Sequence, residues 1–238
     1  MNPIDLPAIR AYPGRGIILG KAGDGRALIA YFLMGRSANS RNRVLAPDGA
    51  DLRAQAFDPA KVEDPSLIIY APVRVLNNRI IVGNGDQTDT IRDFLARGES
   101  FEAALLSRTY EPDAPNYTPR ISALAAFEGG DFSYKLAILK RGAGCERFFF
   151  RYEAPMPGLM HLIHTYRPSA DPLGPFEGEP VPLQTDLAPA AFARVLWDAL
   201  DPQNKVALFV RAVDPKTMAF EDHIINRLEG EASCSRSS

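Results

Sequence analysis

The sequence predicts an α+β fold of stacked sheet and helix layers, and three observations carry that prediction. The first third of the 238-residue chain is a succession of short Ile-, Leu- and Val-rich runs bounded by Gly, Asn or Asp, as antiparallel strands joined by turns require. Two helix-like segments follow at least four strands instead of alternating with them, which argues against βαβ units. Strand-like runs then resume beyond residue 131 and recur after a further helix-like segment.

Residues 15–20 and 26–34 are apolar runs joined by Lys21-Ala22-Gly23-Asp24-Gly25, which reads as a hairpin turn. Residues 66–76 and 79–82 form a second pair around Asn77-Asn78, since asparagine tolerates the positive φ of a tight turn. Past Asn84-Gly85 the period changes. Ile91, Phe94 and Leu95 stand at i, i+3 and i+4, with Thr88 or Asp89 as N-cap and Gly98 as stop. Ser100 caps a second helix with Phe101, Ala104 and Leu105 on its apolar face. Residues 131–140, 147–152 and 159–166 read as strands, the middle one rich in aromatic rings at Phe148, Phe149, Phe150 and Tyr152. Prolines 168, 172, 175, 180 and 182 remove backbone donors, so 168–182 reads as a long loop or flap. Residues 189–200 read as a helix with Phe192, Val195, Leu196 and Ala199 on one face, and 206–213 as another strand. The expected organisation is one domain over 1–228 followed by a polar, disordered tail at 229–238.

Composition limits the function. With 27 Lys and Arg against 29 Asp and Glu the net charge is −2, so neither nucleic acid nor a membrane is an expected partner. Any basic site must be local. Cys145 and Cys234 are too few for a zinc site and read as reduced thiols of a cytoplasmic protein. The first seven residues lack a basic region leading into an apolar stretch, and no run of about 18 apolar residues occurs, so neither signal peptide nor membrane span is expected.

Three motifs are set aside on physical grounds. Gly14-Arg15-Gly16 through Gly20 has the wrong spacing for a dinucleotide loop, and its last glycine ends a strand instead of opening a helix. Gly20-Lys21 is followed by Ala22 where a phosphate-binding P-loop needs Ser or Thr. His161 and His164 lie three apart on a strand and therefore face opposite sides, so no metal pair is expected.

Three polar clusters remain. Residues 35–43, Gly-Arg-Ser-Ala-Asn-Ser-Arg-Asn-Arg, follow an apolar strand and hold three arginines without an acid, which suits a phosphate as well as it suits a solvated basic loop. Residues 82–90 pass from strand through Asn84-Gly85-Asp86 into a helix start, where free N–H groups are offered to an anion or carbonyl; a plain capped turn is the alternative. Residues 110–122 set Glu111, Asp113, Asn116, Thr118 and Arg120 on a Pro-stiffened loop, able to hold polar groups in fixed positions.

Taken together, Gly-Arg-Gly-Ile-Ile-Leu-Gly at 14–20, Ala30-Tyr31 leading into Gly35-Arg36-Ser37, Asn84-Gly85-Asp86-Gln87-Thr88-Asp89-Thr90-Ile91, and Asn116-Tyr117-Thr118-Pro119-Arg120-Ile121 resemble the archaeal-type IMP cyclohydrolases in order and spacing. The resemblance spans roughly 12–125 and becomes diffuse beyond. It implies a four-layer α-β-β-α sandwich like that of N-terminal-nucleophile hydrolases, without an N-terminal nucleophile, in keeping with Met1-Asn2-Pro3. The implied activity is closure of 5-formamidoimidazole-4-carboxamide ribonucleotide to inosine monophosphate with loss of water. The implied partner is that purine-precursor nucleotide, the implied assembly a homo-oligomer, and no cofactor or metal is called for. Another amide or cyclic-amide hydrolase on the same scaffold and a non-catalytic nucleotide-binding protein are the rival readings.

On this reading Arg36, Arg41, Arg43 and Arg120, with Ser37, cradle the 5′-phosphate. Glu111 moves a proton or orients the carboxamide, and Tyr70 donates to the formyl oxygen. Asn84, Gly85 and Asp86, with Asn116 and Thr118, complete recognition of base and ribose. Catalytic roles fall to Glu111, Tyr70 and Arg36. The chain departs from the family pattern at Gly35, where relatives tend to carry Ser, at 38–43, and at Asp86-Gln87, where relatives tend to carry Ser-His.

Overall fold

A computed structural model describes residues 7–62, 65, 68–167, 173–229 and 234–237. Its chain order is α1 (Pro7–Arg10), β1 (Arg15–Lys21), β2 (Ala27–Met34), α2 (Ala38–Arg41), β3 (Arg43–Asp48), β4 (Asp51–Ala56), β5 (Tyr70–Leu76), β6 (Arg79–Gly83), α3 (Gln87–Ala96), α4 (Phe101–Leu106), β7 (Arg120–Glu128), β8 (Asp131–Arg141), β9 (Cys145–Tyr152), β10 (Leu159–His164), β11 (Val181–Gln184), α5 (Pro189–Ala199), β12 (Lys205–Val213), β13 (Phe220–Asn226) and β14 (Cys234–Ser237). The strands form two sheets of seven, in the orders β11-β10-β1-β2-β12-β13-β14 and β3-β4-β5-β6-β7-β8-β9.

The α+β class is observed, and three apolar clusters define the layers. Ile17, Tyr31 and Phe209 of the first sheet pack against Tyr70, Val82, Ile121 and Leu136 of the second. The alternate residues Ile18, Phe32, Leu162 and Leu208 meet Phe192, Leu196 and Trp197 of α5 on the outer face. Ile81, Leu124 and Leu139 likewise meet Ile91, Leu95, Phe101 and Leu105 of α3 and α4. The order is therefore helix, sheet, sheet, helix. This explains why residues 16–20 of β1 and all of β2 are continuously apolar: side chains alternate between the two faces of a strand, and here both faces are covered. Each such buried Leu, Ile or Phe contributes roughly 1.5–3 kcal/mol.

Polar clasps tie the sheets together. The Leu45 amide donates to Asn226 Oδ1 at 2.8 Å while Asn226 Nδ2 donates to the Leu45 carbonyl at 2.9 Å. Buried Arg211 pairs with Asp222 at 2.7 Å and donates across to the Ala50 carbonyl at 2.8 Å.

Several expectations need correction. The strand expected over 66–76 begins only at Tyr70, because the Ile68 and Ile69 amides turn back to the Pro65 carbonyl; residues 66 and 67 lie outside the described residues. Helix α3 starts earlier than expected, with Asp86 at the N-cap position and its carboxylate committed to arginines instead of capping. Pro182 sits inside β11, which the expected loop of 168–182 did not allow. Among the described residues β11 is an edge strand paired with β10 alone, where a missing N–H is tolerated; residues 168–172 of that loop lie outside the described residues. Within the expected tail, Cys234–Ser237 pair with β13, whose outer edge would otherwise present unpaired backbone groups. The β3–β4 hairpin and β13 had not been anticipated.

No helix among the described residues is long and apolar enough to cross a membrane.

Candidate active site

A cleft of about 410 Å³ opens where the start of β1, the segment after β2 and the loop before β7 converge. Arg36, Ser37, Asn39, Ser40 and Arg43 line one part of it. Arg15, Glu111, Asp113, Asn116 and Thr118 line another, and Tyr12, Met34, Ile68, Tyr166 and Leu173 supply its apolar and aromatic wall. Its volume lies in the range of small-molecule pockets, roughly 300–1,000 Å³.

The basic segment is more ordered than a solvated loop. Ser37 and Ser40 form a reciprocal capping box on α2: the Ser40 amide donates to Ser37 Oγ at 3.1 Å and the Ser37 amide to Ser40 Oγ at 3.0 Å. Gly35 permits this packing, since a Cβ there would stand 2.6 Å from Ser40 Oγ. Arg43 is buried and donates to the Ser40 carbonyl at 2.8 Å and the Met34 carbonyl at 3.3 Å. Arg36 lies over the Tyr12 ring at 4.8 Å, and Tyr12 stacks with Tyr166 at 6.2 Å. Arg41 departs from the expected cradle: it donates to the Gly35 carbonyl at 2.9 Å and to Asn204 Oδ1 at 3.0 Å, and is not a lining residue of the cleft.

Glu111 is buried at 5 % exposure, and its Oε2 accepts from Arg15 Nη2 at 3.0 Å. Arg15 Nη1 donates to the Asn84 carbonyl at 3.0 Å. Burial opposes the charge of Arg15, but Glu111 and the hydroxyls of Tyr70, Tyr31 and Tyr166 more than offset it, so its pKa stands well above the ordinary arginine value. The loop carrying Glu111 is set by Asp113, whose Oδ1 accepts from the Thr118 amide at 2.6 Å and whose Oδ2 accepts from the Thr118 hydroxyl. Thr118 Oγ1 also meets the Tyr166 hydroxyl at 2.6 Å.

Asn84, Gly85, Asp86 and Arg120 adjoin this site without lining the cleft. Gln87 organises them: buried at 0 % exposure, it donates to Asn84 Oδ1 at 2.9 Å and accepts from Arg120 Nη1 at 2.7 Å. Its amide is a structural hub that gives and receives at once. Burial raises the Asp86 pKa, but Arg108 and Arg120 more than reverse this and hold it below the usual aspartate range. Arg120 is shifted down, chiefly by burial. Gly85 lets the three groups converge, since a Cβ there would lie 2.7 Å from Arg120 Nη1, 2.8 Å from Gln87 Oε1 and 3.3 Å from Glu111 Oε1.

Tyr70 is buried with its hydroxyl 2.7 Å from that of Tyr31, and it is not among the cleft residues. The two histidines set aside as a metal pair do diverge: His161 meets the Tyr134 hydroxyl at 2.7 Å, and His164 Nδ1 meets the Tyr166 carbonyl at 2.8 Å. Sequence reasoning assigned no role to Arg15, Tyr12, Tyr166, Asn39 or Gln87. Arg15 did leave a signal, as a charged residue immediately ahead of the apolar stretch 16–20 of β1.

Two antiparallel sheets frame a cleft that unites arginines with a buried carboxylate, a lining whose chemistry suits a small anionic molecule. Residues 12–217 match the family described as IMP cyclohydrolase-like protein, and the chain belongs to that family. It is similar to the IMP cyclohydrolase of Methanopyrus kandleri, 32 % identical over 185 residues that cover 72 % of this chain and 88 % of the relative. It is also similar to the IMP cyclohydrolases of Halobacterium salinarum, 30 % identical over 122 residues, and Methanococcus aeolicus, 27 % over 117 residues. Those two matches cover 50 % and 48 % of this chain and 59 % and 57 % of the relatives.

Proposed function

We propose that this protein is an IMP cyclohydrolase, closing 5-formamidoimidazole-4-carboxamide ribonucleotide to inosine monophosphate with loss of water in cytoplasmic purine synthesis. The observation that carries the site assignment is the single cleft in which Arg36 and Arg43 stand with the buried Arg15–Glu111 pair. The 5′-phosphate lies against Arg36, Arg43 and Ser37, and the imidazole reaches toward Glu111, with Tyr12 and Tyr166 offering an aromatic wall. Asn116 and Thr118 border the ribose, while Asn84, Gly85, Asp86 and Arg120 hold the loop that presents Glu111.

The carboxamide nitrogen is a weak nucleophile, so closure needs it pressed against the formyl carbon and relieved of a proton. As the C–N bond forms, Glu111 takes that proton and passes it to the formyl oxygen, giving a cyclic carbinolamine. A second transfer, from ring nitrogen through Glu111 to the hydroxyl, releases water and leaves the C=N bond. No step calls for an added electrophile. The sandwich is read as that of N-terminal-nucleophile hydrolases with the terminal nucleophile unused.

Mixing the purified protein with the formamido nucleotide and following the ultraviolet change on hypoxanthine formation tests the activity. Turnover above buffer is expected. Tight nucleotide binding with no turnover would instead make it a nucleotide-binding protein.

A further inference from the structure

Arg15 is a buried cation that the phosphate site leaves unused. It heads β1, ahead of the apolar stretch 16–20, and reaches the cleft with two of its donors already committed. One goes to the Asn84 carbonyl at 3.0 Å, the other to Glu111 Oε2 at 3.0 Å. The Arg15 amide is itself anchored by Thr165 Oγ1 at 3.1 Å, and Thr165 in turn donates to the Pro13 carbonyl at 2.9 Å. Its backbone and side chain are therefore both fixed.

The consequence falls on Glu111. With Oε2 held by Arg15, the carboxylate plane cannot rotate freely, and Oε1 is the oxygen directed toward Gly85, where an added Cβ would come within 3.3 Å. Oε1 accepts no hydrogen bond among the described residues. One oxygen is clamped and the other is available. A planar guanidinium suits this task because its geometry fixes two acceptors at once, here a carboxylate and a backbone carbonyl, whereas an ammonium would act as a point charge.

We propose that Arg15 is the positioning residue of the reaction: it clamps Glu111 Oε2 against the strand-to-helix turn at Asn84 and so presents Oε1 for proton transfer. This role rests on the cyclohydrolase reading. Arg15 acts through Glu111 and not by binding phosphate, which separates it from Arg36 and Arg43.

A double-mutant cycle tests it, using the full-length protein and the formamido nucleotide, with circular dichroism as the check on folding. Arg15→Gln is expected to lower kcat about 100-fold with KM changed less than about threefold, as for a misplaced catalytic group. Arg15→Lys, which keeps the charge but loses the fork, is expected to recover only part of that loss. In a Glu111→Gln background, Arg15→Gln is expected to cost almost nothing further in kcat, because residues that act as a unit are not additive. The double variant also removes both members of the ion pair, so it stays informative should the single Arg15→Gln variant fold poorly. Additive losses, or a rise in KM with kcat preserved, would overturn the positioning role. A wild-type protein without turnover would overturn the cyclohydrolase reading and this role together, whereas an active wild type with an unaffected Arg15→Gln variant would overturn this role alone.

Discussion

Tyr31 and Tyr70 meet hydroxyl to hydroxyl at 2.7 Å across the interface of the two sheets, Tyr31 from β2 and Tyr70 from β5. Both are buried, and burial raises the Tyr31 pKa well above its ordinary value. Tyr31→Phe therefore strands the Tyr70 hydroxyl in the core. Guanidinium denaturation should show a loss of about 1–3 kcal/mol, the penalty for a buried polar group without a partner. Adding Tyr70→Phe should return part of it. An unchanged midpoint for Tyr31→Phe would show that the bond contributes nothing.

Arg36 and Glu111 should separate kinetically. Arg36→Ala removes a charge-assisted contact to phosphate and should raise KM about tenfold or more, with kcat little changed. Glu111→Gln keeps shape but removes the proton carrier, and should lower kcat about 100- to 10,000-fold. Steady-state kinetics with the formamido nucleotide provide the check, and full kcat in Glu111→Gln would refute that carboxylate's role.

Gly85→Ala pushes a methyl group against Arg120 Nη1, Gln87 Oε1 and Glu111 Oε1 at 2.7, 2.8 and 3.3 Å. These groups must move apart. Since a displacement of about 1 Å in a reacting group can cost 100-fold in rate, activity should fall by about that factor while the protein still folds. A variant of wild-type kcat would mean that the junction tolerates rearrangement.

His164 should give stability a pH dependence above the carboxylate range. Burial lowers its pKa to about 4, against about 6.5 in an unfolded chain. The folded state therefore favours neutral imidazole, and stability is lost as pH falls below about 6.5 and the unfolded chain takes up a proton. Between pH 7 and pH 5 the loss should be about 2 kcal/mol by denaturant titration. His164→Gln, which keeps a donor toward the Tyr166 carbonyl, should flatten that slope; an equally steep slope would place its origin elsewhere.

Legibility in the sequence followed local physics. The β1–β2 hairpin was readable because strands covered on both faces become continuous Ile and Leu runs, and α5 because Phe192 and Leu196 recur at helical spacing. The β3–β4 hairpin was not, since Arg43–Asp48 and Asp51–Ala56 are short and polar and one contains proline. β11 was hidden by Pro182, which is admissible only because the strand lies at an edge. In the site, the cluster at 35–43 stood out by composition, yet composition could not tell Arg43, which faces the cleft, from Arg41, which turns to Asn204.

The sequence alone thus determined the class of fold, the local character of the basic site and the Glu111 loop, because each is written in residues close together in the chain. Which groups meet is set by packing. Arg15 and Glu111 are 96 positions apart, yet pair at 3.0 Å. Such a meeting depends on the packing of two sheets against each other, and no period or spacing along one strand records where the partner strand will place its side chains.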